Sequence, residues 1–427
     1  MRISSTRQHR AVAILVALGL VSGLAGCAAD NHVDLDFPAQ SDAAFPDETA
    51  AQLQAAVEFA MAATGSSGAV VGVWAPWSGS WVTGIGTQHP GDDEAVTADM
   101  QFRAGKITRA MTCDVLYAVA AEGKVSLDDN VSDYVAGVPE ATGVSLQELC
   151  NGTSGIGSFA KQLGPLWLSN PSRTWDPREL ASYGLGQKRL FDPGKAYASS
   201  DAGYVLLGLA LERATGQRAA ALIDRYVVDP LDLAGTELPS PSTVEPGSSG
   251  SVLSGTVSLT GKNGLDCAKP RDITELSSSV GFTDAGVVST IADLGRYGRA
   301  LAAGALLPDG IDRFADPIAP YAKAPAWYTA TGGTFQAGSL IGQFGKVPGY
   351  LPAVFSDPDS GLTVAVVLNN SAASSDLVAF LAWQLAAIAS KAPAAAGETA
   401  PEAGLPWTAS QYHDMIAKGA ICPLPTQ

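Results

Sequence analysis

The chain has 427 residues, with 26 lysines and arginines against 42 aspartates and glutamates, and its formal net charge at pH 7 is −16. A polyanion of this kind is repelled by nucleic-acid phosphates and by anionic lipid headgroups, which excludes nucleic acid as a partner and an electrostatic attachment to membranes. The four histidines are scattered and form no metal-ligand pattern, so we expect neither a metal nor a cofactor.

The N-terminus has the layout of a secretory signal. Three arginines precede an apolar run over 11–24, which is too short to span a membrane comfortably. The run ends in Leu24-Ala25-Gly26-Cys27, which resembles the bacterial lipobox, whose cysteine is acylated and becomes the mature N-terminus. We therefore expect a signal peptide over 1–26 and a protein anchored through lipid on Cys27 at the extracytoplasmic face of the bacterial cell membrane. An ordinary signal peptide or a short membrane anchor is the alternative.

The first predicted elements follow a polar tether over 27–46. Residues 47–64 carry apolar side chains on one stripe and predict a helix. Two β-rich runs, 69–74 and 80–84, are separated by Ser78-Gly79 and predict a hairpin. A longer apolar run through 111–120 has helical spacing.

The middle of the chain, 118–280, alternates helical segments with loops rich in Gly, Ser and Pro. Within it, 241–262 is poor in aromatic residues and predicts an exposed insertion.

The C-terminal third returns to strands. Residues 284–297 predict a short strand, a Ser-Thr cap and a helix, and 352–355 with 362–370 predict a hairpin across a turn at 357–361. A last helix is expected over 377–390. It is followed by an Ala/Pro linker and tail over 391–427.

Residues 102–129 resemble the nucleophile segment of the serine beta-lactamase and D-alanyl-D-alanine carboxypeptidase family, which includes penicillin-binding-protein-like and class C beta-lactamase-related proteins. Short sequence motifs that follow the nucleophile segment in this family also have similar counterparts in this chain, in the same order, at 149–156, 204–208, 211–216 and 230–233. The first of these motifs is His-Thr-Ser-Gly in the family, and Gly152 stands here in place of its histidine.

This resemblance covers roughly 47–390 and implies an α/β (α+β), transpeptidase-like fold. Its central antiparallel sheet, flanked by helices, would come from 47–117 and 281–390. A mainly helical lobe over 118–280 would be inserted between its strands.

The family's first catalytic motif, Ser-x-x-Lys, reads Lys106-x-x-Arg109 in this chain. Residues i and i+3 share one face of a helix, so the family's lysine can take the serine's proton and leave an alkoxide. Lys106 has no hydroxyl, and the guanidinium of Arg109 stays protonated at any physiological pH.

The other two motifs have changed as well. Tyr-x-Asn corresponds to Ser199-x-Asp201, and a serine is too short and too weakly acidic to replace the tyrosine. His/Lys-x-Gly corresponds to Gln343-x-Gly345, in which only the glycine is kept. Lys346 is a candidate for a displaced cation, whereas Tyr197 is out of register with the lost tyrosine.

These changes indicate a site without catalytic residues, in which the six motif positions are vestigial. Asp201 stands where the family's asparagine contacts the motif lysine, so we expect it to neutralise Lys106 and Arg109. An internal ion-pair network is one interpretation of this site. A carboxylate- or phosphate-binding site formed by Lys106, Arg109, Asp201 and Lys346 is the other.

A literal Ser-x-x-Lys at Ser158-Phe159-Ala160-Lys161 lacks an evident helix start, and we attribute it to chance. Four cysteines remain besides Cys27, and an even number in an exported chain indicates two disulfides. Three pairings are possible. We favour Cys113–Cys150, which flanks the presumed active-site helix and its neighbouring loop, and Cys267–Cys422, which would hold the tail.

We therefore expect an exported lipoprotein whose beta-lactamase-related domain is inactive and acts by binding. A peptidoglycan-type peptide, another anionic small ligand or an envelope protein would be its partner. The alternative is a serine-type carboxypeptidase, beta-lactamase or esterase that uses a non-standard site.

Overall fold

A computed structural model describes residues 32–425 apart from Asp34, Asp36, 248–249, Asn263 and 402–403. The predicted signal peptide and the lipidation at Cys27 lie outside the described residues. Within the described part of the chain, no helix is long and apolar enough to cross a membrane.

The strands follow from alternating or continuous apolar runs that end at turns. In chain order they are β1 (Gly68–Ala75), β2 (Gly79–Gly86), β3 (Phe102–Arg103), β4 (Thr256–Val257), β5 (Thr260–Gly261), β6 (Gly264–Leu265), β7 (Arg271–Asp272), β8 (Val288–Ser289), β9 (Tyr328–Thr331), β10 (Thr334–Ala337), β11 (Leu340–Phe344), β12 (Leu351–Ser356) and β13 (Thr363–Leu368).

The α-helices, several of which begin at a Ser, Thr or Asp cap, occupy both ends and the middle of the chain. In chain order they are α1 (Asp47–Thr64), α2 (Thr108–Ala121), α3 (Val131–Tyr134), α4 (Leu146–Cys150), α5 (Ala160–Ser169), α6 (Pro177–Leu185), α7 (Asp201–Thr215), α8 (Ala219–Ile223), α9 (Phe282–Ala285), α10 (Ile291–Ala303), α11 (Asp376–Ala389) and α12 (Ala409–Gly419).

The main sheet is antiparallel throughout, with the strand order β2-β1-β13-β12-β11-β10-β9. Because successive side chains of a strand point to opposite faces, Val70 and Val367 pack in the core shared with α10, whereas Val71 and Val366 pack in the core shared with α1 and α11. Helices α2–α10 and the short strands β3–β8 lie between β2 and β9. The fold class predicted from the sequence is therefore confirmed.

Local predictions agree closely with the structure. The first helix is α1, the first hairpin is β1–β2, and the C-terminal hairpin is β12–β13. The predicted Ser-Thr cap is real, because the Thr290 side chain accepts a hydrogen bond from the backbone N–H of Asp293 at the start of α10. The last predicted helix corresponds to α11, and its two ends shift by one residue each.

The prediction of an exposed insertion over 241–262 is wrong for much of the described part of that segment. Leu253 and Thr256 are fully buried, and Thr256 donates its hydroxyl to the carbonyl of Asn369 at 2.6 Å. The buried guanidinium of Arg103 also donates to the carbonyl of Val244 at 2.7 Å. Small residues can pack as closely as aromatic ones, so a lack of aromatic residues does not predict exposure.

Past residue 390 the chain forms a further helix, α12, which packs against α11 and α1. A capping box between Thr408 and Gln411 starts this helix. The indole of Trp407 donates to the carbonyl of Trp383 in α11 at 3.0 Å.

The four cysteines that the structure describes form the two predicted pairs. Cys113–Cys150 joins α2 to the end of α4. Cys267–Cys422 joins the loop after β6 to the C-terminal tail.

Candidate functional site

Lys106 lies in a short 3-10 turn, Gly105–Ile107, that leads directly into α2. Its side chain passes over Gly345, just beyond the end of β11. A Cβ atom at Gly345 would stand 2.5 Å from the Cβ of Lys106 and 2.9 Å from its Cδ. The glycine at position 345 therefore leaves room for the side chain of Lys106.

Asp201 binds both cations through one carboxylate oxygen. Its Oδ1 lies 3.0 Å from Nζ of Lys106 and 2.9 Å from Nη2 of Arg109. The side chains of Arg109 and Asp201 are each 2% exposed, and that of Lys106 is 21% exposed. This is the arrangement that the sequence predicts, with Asp201 at the first position of α7 facing the start of α2.

A second acid, which the sequence analysis missed, completes the cluster. Asp284 in α9 accepts a hydrogen bond from Nε of Arg109 at 2.7 Å, and its side chain is 6% exposed. The available signal was a single carboxylate inside the apolar run 280–288, where a charge needs a partner.

Two serines also contact the cluster. Ser199 accepts hydrogen bonds from Nζ of Lys106 at 3.1 Å and from Nη1 of Arg109 at 2.8 Å. Ser158 donates to the other carboxylate oxygen of Asp201. A helix, α5, does begin near Ser158, contrary to expectation, but Lys161 is exposed to solvent, so this literal motif forms no paired site.

The two carboxyls titrate in opposite directions. Burial alone would raise the pKa of Asp201, but Lys106, Arg109 and the Ser158 hydroxyl lower it to about 2. Burial raises the pKa of Asp284 to about 6 against the opposing effect of Arg109. The carboxylates of Asp284 and Asp201 raise the pKa of Arg109 against the effect of burial, so this residue stays a cation.

Gln343, the residue predicted to correspond to the cation of the third motif, is an uncharged amide bound to backbone groups. Gln343 is buried, and its amide donates to the carbonyl of Gly333 at 2.6 Å and accepts from the backbone N–H of Phe344 at 2.8 Å. Lys346 follows the strand, is exposed, and donates to the carbonyl of Ala373 at 3.3 Å. Partial desolvation and the ammonium of Lys106 lower its pKa.

Tyr197 packs closely against Gly152. The ring of Tyr197 passes so close to Gly152 that a Cβ atom there would lie 2.7 Å from it. The ring also packs edge-on against Phe335, with 5.6 Å between the ring centroids. A larger residue at position 152, such as the histidine that the family's motif has there, would therefore collide with Tyr197 in its present position.

Two cavities meet at Lys106. The larger is a cleft of about 750 Å³ that also contacts Arg109, Ser199, Gln343 and Gly345. The smaller, of about 220 Å³, is bordered by Asp201, Asp284 and Lys346. Lys106, Arg109, Ser199 and Asp201 are thus brought into direct contact, while Lys346 borders only the smaller cavity. Among the described residues no group of His, Cys, Asp or Glu could hold a metal ion.

The cluster pairs two cations with two carboxylates. Attack by a hydroxyl on an acyl carbon needs an unprotonated base beside the hydroxyl. The hydroxyl nearest the cations, that of Ser199, is hydrogen-bonded by Lys106 and Arg109. The carboxylate next to them, Asp201, is too weak a base at a pKa of about 2.

Comparison with known proteins gives a consistent result. The sequence model of the family described as Beta-lactamase matches residues 53–388. In the curated set, the chain is 25% identical over 151 residues to the probable fimbrial assembly protein FimD, serogroup H1, of Dichelobacter nodosus. It is 29% identical over 163 residues to the D-alanyl-D-alanine-carboxypeptidase/endopeptidase AmpH of Escherichia coli.

These alignments span 34% and 36% of the chain, and 36% and 42% of the length of the two relatives, respectively. Among solved structures, the D-stereospecific amidohydrolase from a Streptomyces species superposes with a TM-score of 0.66 at 26% identity. That superposition covers 76% of this chain and 95% of the amidohydrolase.

Proposed function

Because this chain belongs to the beta-lactamase family, we propose that it is an exported envelope lipoprotein in which the family's fold binds a ligand and no longer transfers acyl groups. The observation that carries this proposal is the ammonium of Lys106 at the nucleophile position, 3.0 Å from the carboxylate of Asp201. An ammonium held in an ion pair neither attacks an acyl carbon nor accepts a proton.

Several further changes support the loss of acyl transfer. The base position carries Arg109, whose pKa the adjacent acids raise further. The amide of Gln343 is bound to backbone groups and offers no charge to a substrate. A working site would need all of these groups to be restored together.

The proposed partner is a peptide or another small anionic ligand of the cell envelope, or an envelope protein. The names of two relatives, a D-alanyl-D-alanine-carboxypeptidase/endopeptidase and a D-stereospecific amidohydrolase, support a ligand with peptide-like groups. The cations at the junction of the two cavities support an anionic group on that ligand.

Export is supported by the signal-like N-terminus, by the lipobox-like segment before Cys27 and by two disulfides, which persist in oxidising compartments. Cys27→Ser is expected to abolish lipid modification and to move the protein from the membrane fraction to the soluble fraction. Unchanged processing and membrane partition would contradict the lipoprotein proposal.

Loss of catalysis is tested by intact mass spectrometry after incubation with penicillin and with a fluorophosphonate, with AmpH as the positive control. We expect no stoichiometric adduct, and no hydrolysis of nitrocefin or of D-alanyl-D-alanine peptides. Lys106→Ser, alone or with Arg109→Lys, is expected to stay inactive, because Ser199 and Gln343 still replace the family's other groups.

A stoichiometric adduct would contradict the proposal, and peptide mapping would locate it. Ser199→Ala is the matched control, since Ser199 is the hydroxyl in contact with both cations. An adduct that disappears in this variant would establish a hydrolase with a relocated nucleophile.

A further inference from the structure

The segment that precedes α1, residues 33–45, runs along the folded domain and is called the strap below. At its start, the backbone N–H of Val33 donates to the carbonyl of Pro230 at 2.9 Å, and the Val33 side chain is partly buried against the core shared with α10. Just before it, Nδ1 of His32 lies 3.1 Å from a carboxylate oxygen of Asp232. The start of the strap is therefore attached to the helical lobe.

The end of the strap is attached to the α/β lobe. The side-chain amide of Gln40 donates to the carbonyl of Gly79 at 3.0 Å, and the carbonyl of Ala43 accepts from the backbone N–H of Ser80 at 3.0 Å. Both acceptor and donor belong to β2, the edge strand of the main sheet. The strap thus crosses from one lobe to the other as part of the folded domain, and it does not act as a free linker.

The chain between the proposed lipid and the strap is short. Residues 28–31 separate Cys27 from His32. The five Cα-to-Cα steps from Cys27 to His32 span at most about 18 Å in any conformation, because a chain extends by at most about 3.6 Å per residue. Acyl chains on Cys27 lie in the membrane. The surface around Pro230 is therefore held close to the membrane.

This surface and the cleft lie at opposite ends of α2. Lys106, where the two cavities meet, precedes the first turn of α2, and Glu122 follows its last turn. The 14 residues of α2 span about 21 Å, and the helix is buried over 108–117, so its ends reach different surfaces of the protein. The carboxylate of Glu122 accepts from the Tyr226 hydroxyl at 2.7 Å, and Tyr226 lies in the helical turn that leads directly into Pro230.

Charge does not draw this surface to anionic lipid. Residues 224–232 contain three acids, Asp224, Asp229 and Asp232, and one cation, Arg225, which forms an ion pair with Glu122. Anionic headgroups repel such a surface. The orientation of the protein on the membrane is therefore set by the short tether.

We propose that the anchored protein lies with the surface around Pro230 against the membrane and with the cleft opening away from it. The cleft then meets its ligand on the side that faces away from the lipid. A free molecule, or one attached to the cell wall, fits this arrangement better than one held in the membrane by its own acyl chains. This inference rests on the proposed function, since it requires the lipid anchor at Cys27.

Energy transfer from a dye on the protein to headgroup-labelled lipid tests the orientation. The lipidated protein is placed in phosphatidylcholine vesicles and labelled at one introduced cysteine. Asp229→Cys places it next to Pro230, and Lys161→Cys places it next to Ala160, which borders the smaller cavity; both positions are exposed. The native cysteines are paired or carry lipid, so they do not react with the dye. Transfer from position 229 is expected to be at least about twofold that from position 161, because roughly 21 Å separates the ends of α2.

A longer tether is the matched control. About twenty Gly and Ser residues inserted between Asp30 and Asn31 leave residues 32–427 unchanged, and they raise the r.m.s. length of the tether to roughly 25–30 Å. The two transfer efficiencies are expected to converge in this variant, because the domain can then rotate on its anchor. Thermal unfolding verifies that each labelled protein is folded.

The possible failures are distinguishable. Equal transfer from the two positions, or greater transfer from position 161, overturns the inference while a lipidated Cys27, seen by mass spectrometry, leaves the lipoprotein proposal intact. A difference that persists with the longer tether overturns the role of the tether. An N-terminal peptide without lipid contradicts the lipoprotein proposal itself, and the inference falls with it.

Discussion

Lys106 depends on several residues around it. Its aliphatic part packs against Gly345, where a Cβ atom would collide with it, and its ammonium is neutralised by Asp201. Arg109 in turn needs Asp201 and Asp284. Because each group compensates another, returning one motif position to the family pattern leaves the others mismatched.

Asp201→Asn is expected to lower the free energy of unfolding by about 3 kcal/mol, because it leaves Lys106 and Arg109 with one buried carboxylate in place of two. Urea unfolding at pH 7 measures the effect. Asp316→Asn removes an exposed acid and is expected to change stability by less than about 0.5 kcal/mol. Equal, small effects of both substitutions would contradict the role of Asp201 as counter-ion.

Asp284 is expected to make stability depend on pH. Its pKa is about 6 in the folded protein, above the ordinary value of 3.8, so the folded state binds the proton more tightly than the unfolded chain. Its contribution to stability therefore decreases as pH rises from about 4 to about 6, by up to about 3 kcal/mol.

Urea unfolding of the native protein and of Asp284→Asn across this pH range isolates that contribution as a difference. We expect the advantage of the native protein over the variant to shrink as pH rises. A difference that is flat, or that grows with pH, would show that the folded-state pKa of Asp284 is not raised.

At the scale of elements, α10 packs closely on the sheet because it carries glycine at the contact. A Cβ atom at Gly298 would lie 2.4 Å from Cγ2 of Val354 in β12. In α5, by contrast, Gly164 has no atom within 4 Å of such a Cβ. Alanine at position 298 would therefore collide with the sheet, whereas alanine at position 164 would not.

Gly298→Ala is therefore expected to destabilise the protein by about 1–3 kcal/mol, since overpacking outweighs the better helix propensity of alanine. Gly164→Ala is expected to change stability by less than about 1 kcal/mol, because the better helix propensity of alanine is opposed by the following Pro165, whose ring disfavours a helical residue with a Cβ before it. Thermal or urea unfolding compares the two variants. Stabilisation by Gly298→Ala would mean that α10 can move away from the sheet at little cost.

At the scale of the whole molecule, the disulfide Cys267–Cys422 joins residues 155 positions apart. Cys267→Ser with Cys422→Ser is expected to lower the free energy of unfolding by about 2–5 kcal/mol, because the cross-link restricts the unfolded chain. The measurement is urea unfolding, together with a thiol assay of the native exported protein. That assay is expected to find no free thiol among the four paired cysteines, and two or more would contradict the pairing.

The amino-acid sequence by itself determined the elements whose signals are local. The stripe of α1, the Ser78-Gly79 turn between β1 and β2, and the Thr290 cap of α10 depend on residues a few positions apart. The order of the motifs along the chain also predicts that Lys106 and Asp201 stand at the positions of the family's catalytic groups, and the structure brings these two side chains into contact.

Only the tertiary structure decided which distant groups meet. Asp284 and Arg109 are 175 residues apart, and Ser158 and Asp201 are 43 apart, so no local pattern predicts their contacts. The contacts of Trp407 and Tyr412 with Trp383 of α11 likewise join residues that are distant along the chain. The tertiary structure also decides how these two acids titrate. Burial raises the pKa of Asp284, whereas the neighbouring cations lower the pKa of Asp201.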